Sequence, residues 1–314
     1  MTAATQEVIT TEELLGVEEA LLKAAVSNVE LLSTASKHMI AAGGKRVRPR
    51  LVLLAYKATG GNDVAQAIPA AAAVELLHTA SLIHDDINDH SNVRRNRASI
   101  NALFGNALAL LIGDFVFIKL LGLIADFGTQ CTQILADACT NIIEGETLQM
   151  LNLHNAEMTE DTYLQIVTQK TASLFSACTL LGAILANGAK REIGILGEYG
   201  LNLGVAFQIR DDTLDLMGEE DTLGKPVAND LGEGKLSLAT LYGLRSSNAI
   251  RETLQQKDFE KTVRLLREIG AQHYAMKRAK EYAEKAKTAL TSLSPSEARK
   301  ALYAMVDFAI ERDK

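Results

Sequence analysis

Apolar residues recur at three- and four-residue steps along nearly the whole of this 314-residue chain, and that helical rhythm limits the fold more than any other property. Strand signals are nearly absent, because the β-branched clusters are short and sit inside runs rich in Ala and Leu. Thr10 with Glu13 makes a capping box that opens a first helix, and the apolar period then runs through Leu32. An all-α fold of roughly a dozen helices follows, given typical helix lengths. Pro occurs only at Pro49, Pro69, Pro226 and Pro295, and no Ser/Gly-rich or like-charge tract separates two halves, so residues 1–314 read as a single domain. Loops announce themselves at Gly43-Gly44, Gly60-Gly61-Asn62, Asn187-Gly188 and from Gly218 to Lys235. The last is long and charged, and reads as a lid or ligand-contacting segment.

A net charge of −7, the absence of Trp and an aromatic content of 5% leave no basic footprint and little stacking surface, which argues against nucleic acid as a partner. Cys131, Cys139 and Cys178 are odd in number and lack Cys-x-x-Cys spacing; they read as small buried residues of a reduced compartment, the cytoplasm. Met1 to Val8 has no basic region followed by an apolar core, so no secretory signal is expected. The longest apolar stretch, Ala107 to Ile124, is interrupted by Asp114 and Lys119 and reads as a buried bundle helix rather than a membrane span.

Within this framework one pattern is written twice: Asp85-Asp86-Ile87-Asn88-Asp89 and Asp211-Asp212-Thr213-Leu214-Asp215 are both Asp-Asp-x-x-Asp. On a helix the first and fifth positions lie one turn apart on one face, so each copy presents two carboxylates side by side. A single such motif is more often surface decoration. These copies follow Ala80-Ser81-Leu82-Ile83 and Gly204-Val205-Ala206-Phe207, flanks that read as buried helix running into charge. Buried carboxylates without partners are costly, and a cation between them offsets that cost. Hard oxygen ligands with no Cys or His at ligand spacing favour Mg²⁺ or Mn²⁺, which shares its remaining positions with substrate phosphates.

Cations gather where the acids alone would leave a half-built site. Lys45, Arg46 and Arg48 precede a helix that Pro49 can open, a geometry suited to an anion. Arg94, Arg95 and Arg97 follow the first acidic motif, and Arg forks match phosphate oxygens bidentately. Lys170-Thr171, Gln208, Lys225 and Lys235 supply further donors near or between the motifs. Each alone also reads as a solvated surface group. Together with two carboxylate pairs they make a site for highly charged diphosphates.

The runs Gly43-Gly44-Lys45-Arg46-Val47-Arg48-Pro49, Leu82-Ile83-His84-Asp85-Asp86-Ile87-Asn88-Asp89 with Arg94-Arg95, Gly113-Asp114-Phe115, Glu144-Gly145-Glu146, and Phe207-Gln208-Ile209-Arg210-Asp211-Asp212-Thr213-Leu214-Asp215 with Gly224-Lys225-Pro226 and Gly234-Lys235 resemble the trans-isoprenyl diphosphate synthases, the polyprenyl synthetases. The likeness runs in order from Lys45 to Leu241. It implies a helical bundle around a central active-site cavity, a homodimer, and head-to-tail condensation of isopentenyl diphosphate onto an allylic diphosphate. By the same resemblance Asp85, Asp89 and Asp211 are the chief Mg²⁺ ligands, supported by Asp86, Asp212 and Asp215. Arg94, Lys170, Gln208, Lys225 and Lys235 hold the allylic diphosphate; Lys45, Arg48, His78 and Arg95 hold isopentenyl diphosphate. Thr171, Gln208 and the Lys225 carbonyl region neighbour the allylic cation. His78, a lone histidine on an apolar helix, would otherwise be a satisfied core residue.

Metal and cations stabilise the charge that develops on diphosphate as its bond to the allylic carbon breaks. Proton loss then finishes the step, with the departing diphosphate as base. No protein nucleophile is needed, in keeping with the absence of a Ser-His or Cys-His signature.

A helical turn rises about 5.4 Å, close to the length of one isoprene unit, so residues at one-turn steps before Asp85 act as a ruler for the product. Ala80 and Ser81 are small, and Leu77, Val74 and Ala73 further back are not aromatic. Relatives that stop at three isoprene units tend to carry an aromatic floor there, so a medium- to long-chain all-trans product is expected, ahead of geranylgeranyl length. Phe115, Phe117 and Leu120 on a facing helix are candidates to close the tunnel. Peripheral membrane contact would serve release of such a product. Two departures stand out: Asn96 where the family has Gly, which Asn can replace in a left-handed turn, and Ala239 where it often has Pro, which predicts a missing kink. A terpene cyclase would not need the Lys45, Arg48 and Arg95 pocket. A non-catalytic partner subunit would lose its Asp motifs; the catalytic half of a heteromeric synthase remains a second reading.

Overall fold

The computed structural model describes residues 7–95, 97–217 and 229–311. Lys225, Asn96 and most of the charged loop after the second acidic motif lie outside the described residues. The described chain is helical almost throughout, as its apolar rhythm demands, and divides into two compact units. The first comprises the chain to Asp137, Ala177–Gly197 and Leu293–Ala304; the second comprises Ala138–Ser176, Glu198–Ser292 and the chain from Met305.

The first unit is built from α1 (Thr11–Ala24), α2 (Glu30–Ala41), α3 (Val47–Ala58), α4 (Ile68–Asn88), α5 (Ile100–Phe104) and α6 (Asn106–Ile124), followed by the start of α7 (Gly128–Leu151). The capping box at Thr10 forms: its hydroxyl accepts from the Glu13 amide at 3.2 Å, and Glu13 accepts from the Thr10 amide at 2.9 Å. Pro69 in the first turn of α4 has its fixed φ preorganised for helix and no amide to leave unpaired. Ala70 to Val74, Leu76, Leu77, Ala80 and Ile83 are all buried, making α4 the central helix of this unit. Short side chains let neighbours approach from several sides, which is why this stretch carries so little helical amphipathicity.

The stretch from Ala107 to Ile124 corrects the sequence reading. Helix α6 buries one stripe, Ala109, Ile112, Val116, Leu120 and Ile124, and packs along α4. Leu108, Leu110, Leu111, Ile118 and Leu121 are exposed. A helix apolar all round carries no periodic signal to say which face is covered, so periodicity alone could not separate these stripes. By length and apolarity Val64–Asn88 and Asn106–Ile124 could each span a membrane, with 67% and 33% of the apolar window buried respectively.

One departure from pure helix lies beside the first acidic motif. Strands β1 (Val93–Arg94) and β2 (Arg97–Ala98) pair antiparallel, Val93 opposite Ala98 and Arg94 opposite Arg97. Two-residue strands are too short to leave a period-2 pattern.

The second unit holds the later part of α7, α8 (Glu160–Val167), a π-helical turn (Thr168–Ala172), the start of α9 (Ser173–Leu185), and the later part of α10 (Lys190–Met217). It continues with α11 (Asn229–Gly232), α12 (Leu238–Ser246), α13 (Asn248–Gln255), α14 (Phe259–Glu268), α15 (Ala271–Leu290) and the end of α16 (Glu297–Glu311). Residues 229–232 thus form a helical turn where a continuous loop to Lys235 was expected. Ala239 is the second residue of α12, whose N-cap Ser237 accepts from the Thr240 amide. Proline at such a position would fit the first turn, so its replacement by Ala removes no kink.

Candidate active site

Both acidic motifs fall in the last turns of long helices, α4 and α10. Carboxylates there oppose the negative end of the helix dipole, an arrangement that calls for compensating cations.

In the first unit that cation is Arg94. Its Nε and Nη2 donate to one oxygen of Asp86 at 2.8 and 2.5 Å, while the Asp86 backbone carbonyl accepts from Asn101 at 3.1 Å. Asp86 is fully buried and Arg94 about one-third exposed. Burial pushes the Asp86 carboxyl up against the pull of Arg94. Removing one partner of such a pair costs about 3 to 5 kcal/mol, because the other charge stays buried. Asp85 and Asp89, one turn apart, are only partly buried.

Around His78 the structure gathers the cations that the sequence singled out. Burial lowers the imidazole well below its ordinary value, with Arg48, Arg95, Arg94 and Arg46 adding to the effect. His78 is therefore neutral near pH 7 in the free protein. Lys45 is exposed and Arg48 half-buried at the start of α3. Arg97 is exposed on β2. Arg46, expected to face an anion, is instead turned inward onto Glu18 and Glu75; a half-buried acid and a buried one on other helices captured it, which no local pattern could reveal.

In the second unit a chain of hydrogen bonds crosses the second motif. The Tyr163 hydroxyl donates to Asp212 Oδ2 at 2.6 Å, Gln208 Nε2 donates to Asp212 Oδ1 at 2.7 Å, and the Thr171 hydroxyl donates to Gln208 Oε1 at 2.9 Å. Burial pushes the Asp212 carboxyl up to about 6, against these two donors. Asp215 is buried and accepts from the Asp230 amide at 3.0 Å, fastening α11 to the motif. Asp211 is exposed. A cavity of about 130 Å³ opens here, lined by Lys170, Thr171, Gln208, Asp212 and Lys235 with Tyr163, Ile166 and Val167 among its apolar walls.

Lys170 and Thr171 lie in the π-helical turn, a wide turn of the kind that re-aims side chains at functional sites. Two glycines make room for it. A Cβ on Gly145 would collide with the Lys170 amide nitrogen and come within 2.9 Å of its Cα, and one on Gly204 would lie 2.5 Å from the Ala172 Cα. Lys170 pairs with Glu146 and donates to Gln149 at 2.7 Å; Lys235 pairs with Glu233 at 2.8 Å.

The ruler residues all lie on α4, with Val74, Leu77 and Ala80 buried and Ser81 half-buried, its hydroxyl donating to the His78 carbonyl at 2.9 Å. Leu120 is buried, while Phe115 and Phe117 are half-buried on α6. Sequence reasoning missed Tyr163, Glu75 and Gln149. A lone acid in the Ala-rich run of α4 was a usable signal for Glu75; Tyr163, 49 residues from its partner, gave none.

Among the described residues no three His, Cys, Asp or Glu side chains converge as a ready-made metal cage. A hard cation that takes one or two carboxylates and completes its shell with phosphate oxygens fits this donor set. The second oxygen of Asp86, buried and accepting no hydrogen bond, shows that acceptor capacity remains within the first motif.

The sequence matches the polyprenyl synthetase family model over residues 29–269. The chain belongs to the polyprenyl synthetases. It is an all-trans prenyltransferase acting on prenyl diphosphates, and members of its family use a divalent metal. The octaprenyl diphosphate synthase of Escherichia coli is 34% identical over 98% of both chains. The short chain isoprenyl diphosphate synthase of Methanothermobacter thermautotrophicus is 39% identical, over 90% of this chain and 91% of the relative. The polyprenyl synthase of Caulobacter crescentus, solved with calcium and isoprenyl diphosphate, superposes with a TM-score of 0.92 at 36% identity, covering 96% of this chain and 95% of that one. These matches bear out the all-α prenyltransferase reading.

Proposed function

We propose that this prenyltransferase adds isopentenyl diphosphate head-to-tail to an allylic diphosphate with Mg²⁺, and releases an all-trans polyprenyl diphosphate of medium to long chain. One observation carries the assignment of roles: the middle carboxylates, Asp86 and Asp212, are hydrogen-bonded by Arg94 and by Tyr163 with Gln208, while Asp85 and Asp89 are partly exposed one turn apart and Asp211 is exposed. Asp85, Asp89 and Asp211 are the Mg²⁺ ligands, and Mn²⁺ can replace the ion. The metal, when bound, neutralises charge on the departing diphosphate. Arg94, oriented by Asp86, and Lys170 and Lys235 hold the allylic diphosphate together with Lys225. Thr171 and Gln208, fixed by their hydrogen bonds, face the allylic cation with oxygen atoms. Lys45, Arg48, His78 and Arg95 take isopentenyl diphosphate.

The absence of aromatic side chains at Val74, Leu77, Ala80 and Ser81 supports a product longer than geranylgeranyl, in keeping with the octaprenyl relative. The exposed apolar stripe of α6 supports a homodimer. The whole chain is taken as one catalytic domain working in the cytoplasm, touching the membrane when product leaves. In an assay with farnesyl and isopentenyl diphosphates and Mg²⁺, Asp85→Ala and Asp211→Ala should each cut kcat by roughly 10²- to 10³-fold, on the order of a lost transition-state interaction. Full activity in either variant would refute the ligand assignment.

A further inference from the structure

Three cations stand within four residues at Lys45, Arg46 and Arg48, yet Arg46 alone among them is buried, 9% exposed. It caps α3 in the left-handed region, φ 48° and ψ 44°, a conformation a non-glycine residue keeps only where its surroundings hold it. The holding groups are visible. Arg46 Nη1 donates to Glu75 at 2.8 Å, Nε and Nη2 donate to Glu18 at 2.5 and 3.0 Å, and Nη2 donates to the Ile40 carbonyl at 2.9 Å. Glu75 is 3% exposed, in the apolar interior of α4, one turn before His78.

The second basic loop is tied to the same anchor. The Arg95 guanidinium lies across Gly44, where a Cβ would come within 3.1 Å of it, and Nη1 of Arg95 donates to the Gly43 carbonyl. Arg46 Nη1 reaches that carbonyl too, at 3.4 Å. Gly43 therefore accepts from both basic loops, with the Glu75 carboxylate as the buried anion on Arg46.

We infer that Glu75 and Arg46 are a positioning pair: without touching substrate, they set Lys45, Arg48, His78 and Arg95 as a preformed cradle for the diphosphate of the homoallylic substrate. The inference rests on the site reading proposed above. Like charges so close together repel, and long cationic side chains left to themselves spread into solvent. A buried counter-charge that fixes the loop carrying them lowers the ordering cost of binding.

The test separates KM for isopentenyl diphosphate from KM for farnesyl diphosphate and from kcat. Glu75→Gln keeps the shape and removes the charge; Arg46→Lys keeps the charge and removes the fork. Both should raise the isopentenyl diphosphate KM by about tenfold or more, with the farnesyl diphosphate KM and kcat within about twofold, as a positioning role at one subsite requires. An unchanged isopentenyl diphosphate KM, or a parallel rise for both substrates, would overturn the pair's role. Should Glu75→Gln not fold, Arg46→Lys alone decides. Lys45→Ala and Arg48→Ala serve as controls. If they too leave the isopentenyl diphosphate KM unchanged, the subsite reading fails; if they raise it while the pair variants do not, only the inference fails.

Discussion

Tyr163 shows how one side chain can set the state of a motif it does not belong to. Its hydroxyl and the Gln208 amide are the donors that restrain Asp212. A hydrogen bond to a charged group contributes about 1.5 to 3 kcal/mol, so Tyr163→Phe should lower kcat/KM for the allylic substrate by roughly ten- to hundredfold, read by steady-state kinetics. His78 gives a pH signature. Its folded-state value lies below the ordinary 6.5, chiefly through burial, so the unfolded chain takes up a proton that the folded chain refuses. The stability that the neutral His78 contributes to the free protein is therefore complete above pH 6.5 and declines as pH falls through 6.5 toward the lower folded value. Thermal unfolding between pH 7.5 and about 5.5 should show a smaller drop in His78→Asn than in the parent chain. An equal drop would assign the acid sensitivity to other groups.

At the scale of elements, the π-helical turn is the feature that packing decides. Gly204→Ala places a Cβ 2.5 Å from the Ala172 backbone, and overpacking of that kind costs about 1 to 3 kcal/mol. The variant should melt at a lower temperature and lose prenyl transfer more than its stability loss explains, because Lys170 and Thr171 ride on the displaced turn. Helices, capping box and acidic motifs were legible in the sequence because each is local: a cap spans four residues and a motif five. The burial of α6 was not, since a uniformly apolar helix has no phase. Nor was the fate of Arg46, whose partners lie 28 and 29 residues away in other helices. The site was readable wherever its residues formed a run, and unreadable wherever a side chain such as Tyr163 or Glu75 reached it from another helix.

For the whole molecule, the exposed stripe of α6, with Leu111 at 58% and Ile118 at 55% exposure, is the surface that a second copy would cover. Leu111→Asp with Ile118→Asp should convert dimer to monomer in light scattering while leaving far-ultraviolet helicity intact. A dimer that survives both charges would place the interface elsewhere. The product itself is the most direct readout of this chemistry. The purified chain is incubated with farnesyl diphosphate, excess isopentenyl diphosphate and Mg²⁺, and the dephosphorylated products are separated by chain length. All-trans prenols extended well past the geranylgeranyl length are expected, and none when the metal is chelated. Products that stop at geranylgeranyl would contradict the open-tunnel reading of α4, and no elongation by the chain alone would contradict a self-sufficient synthase.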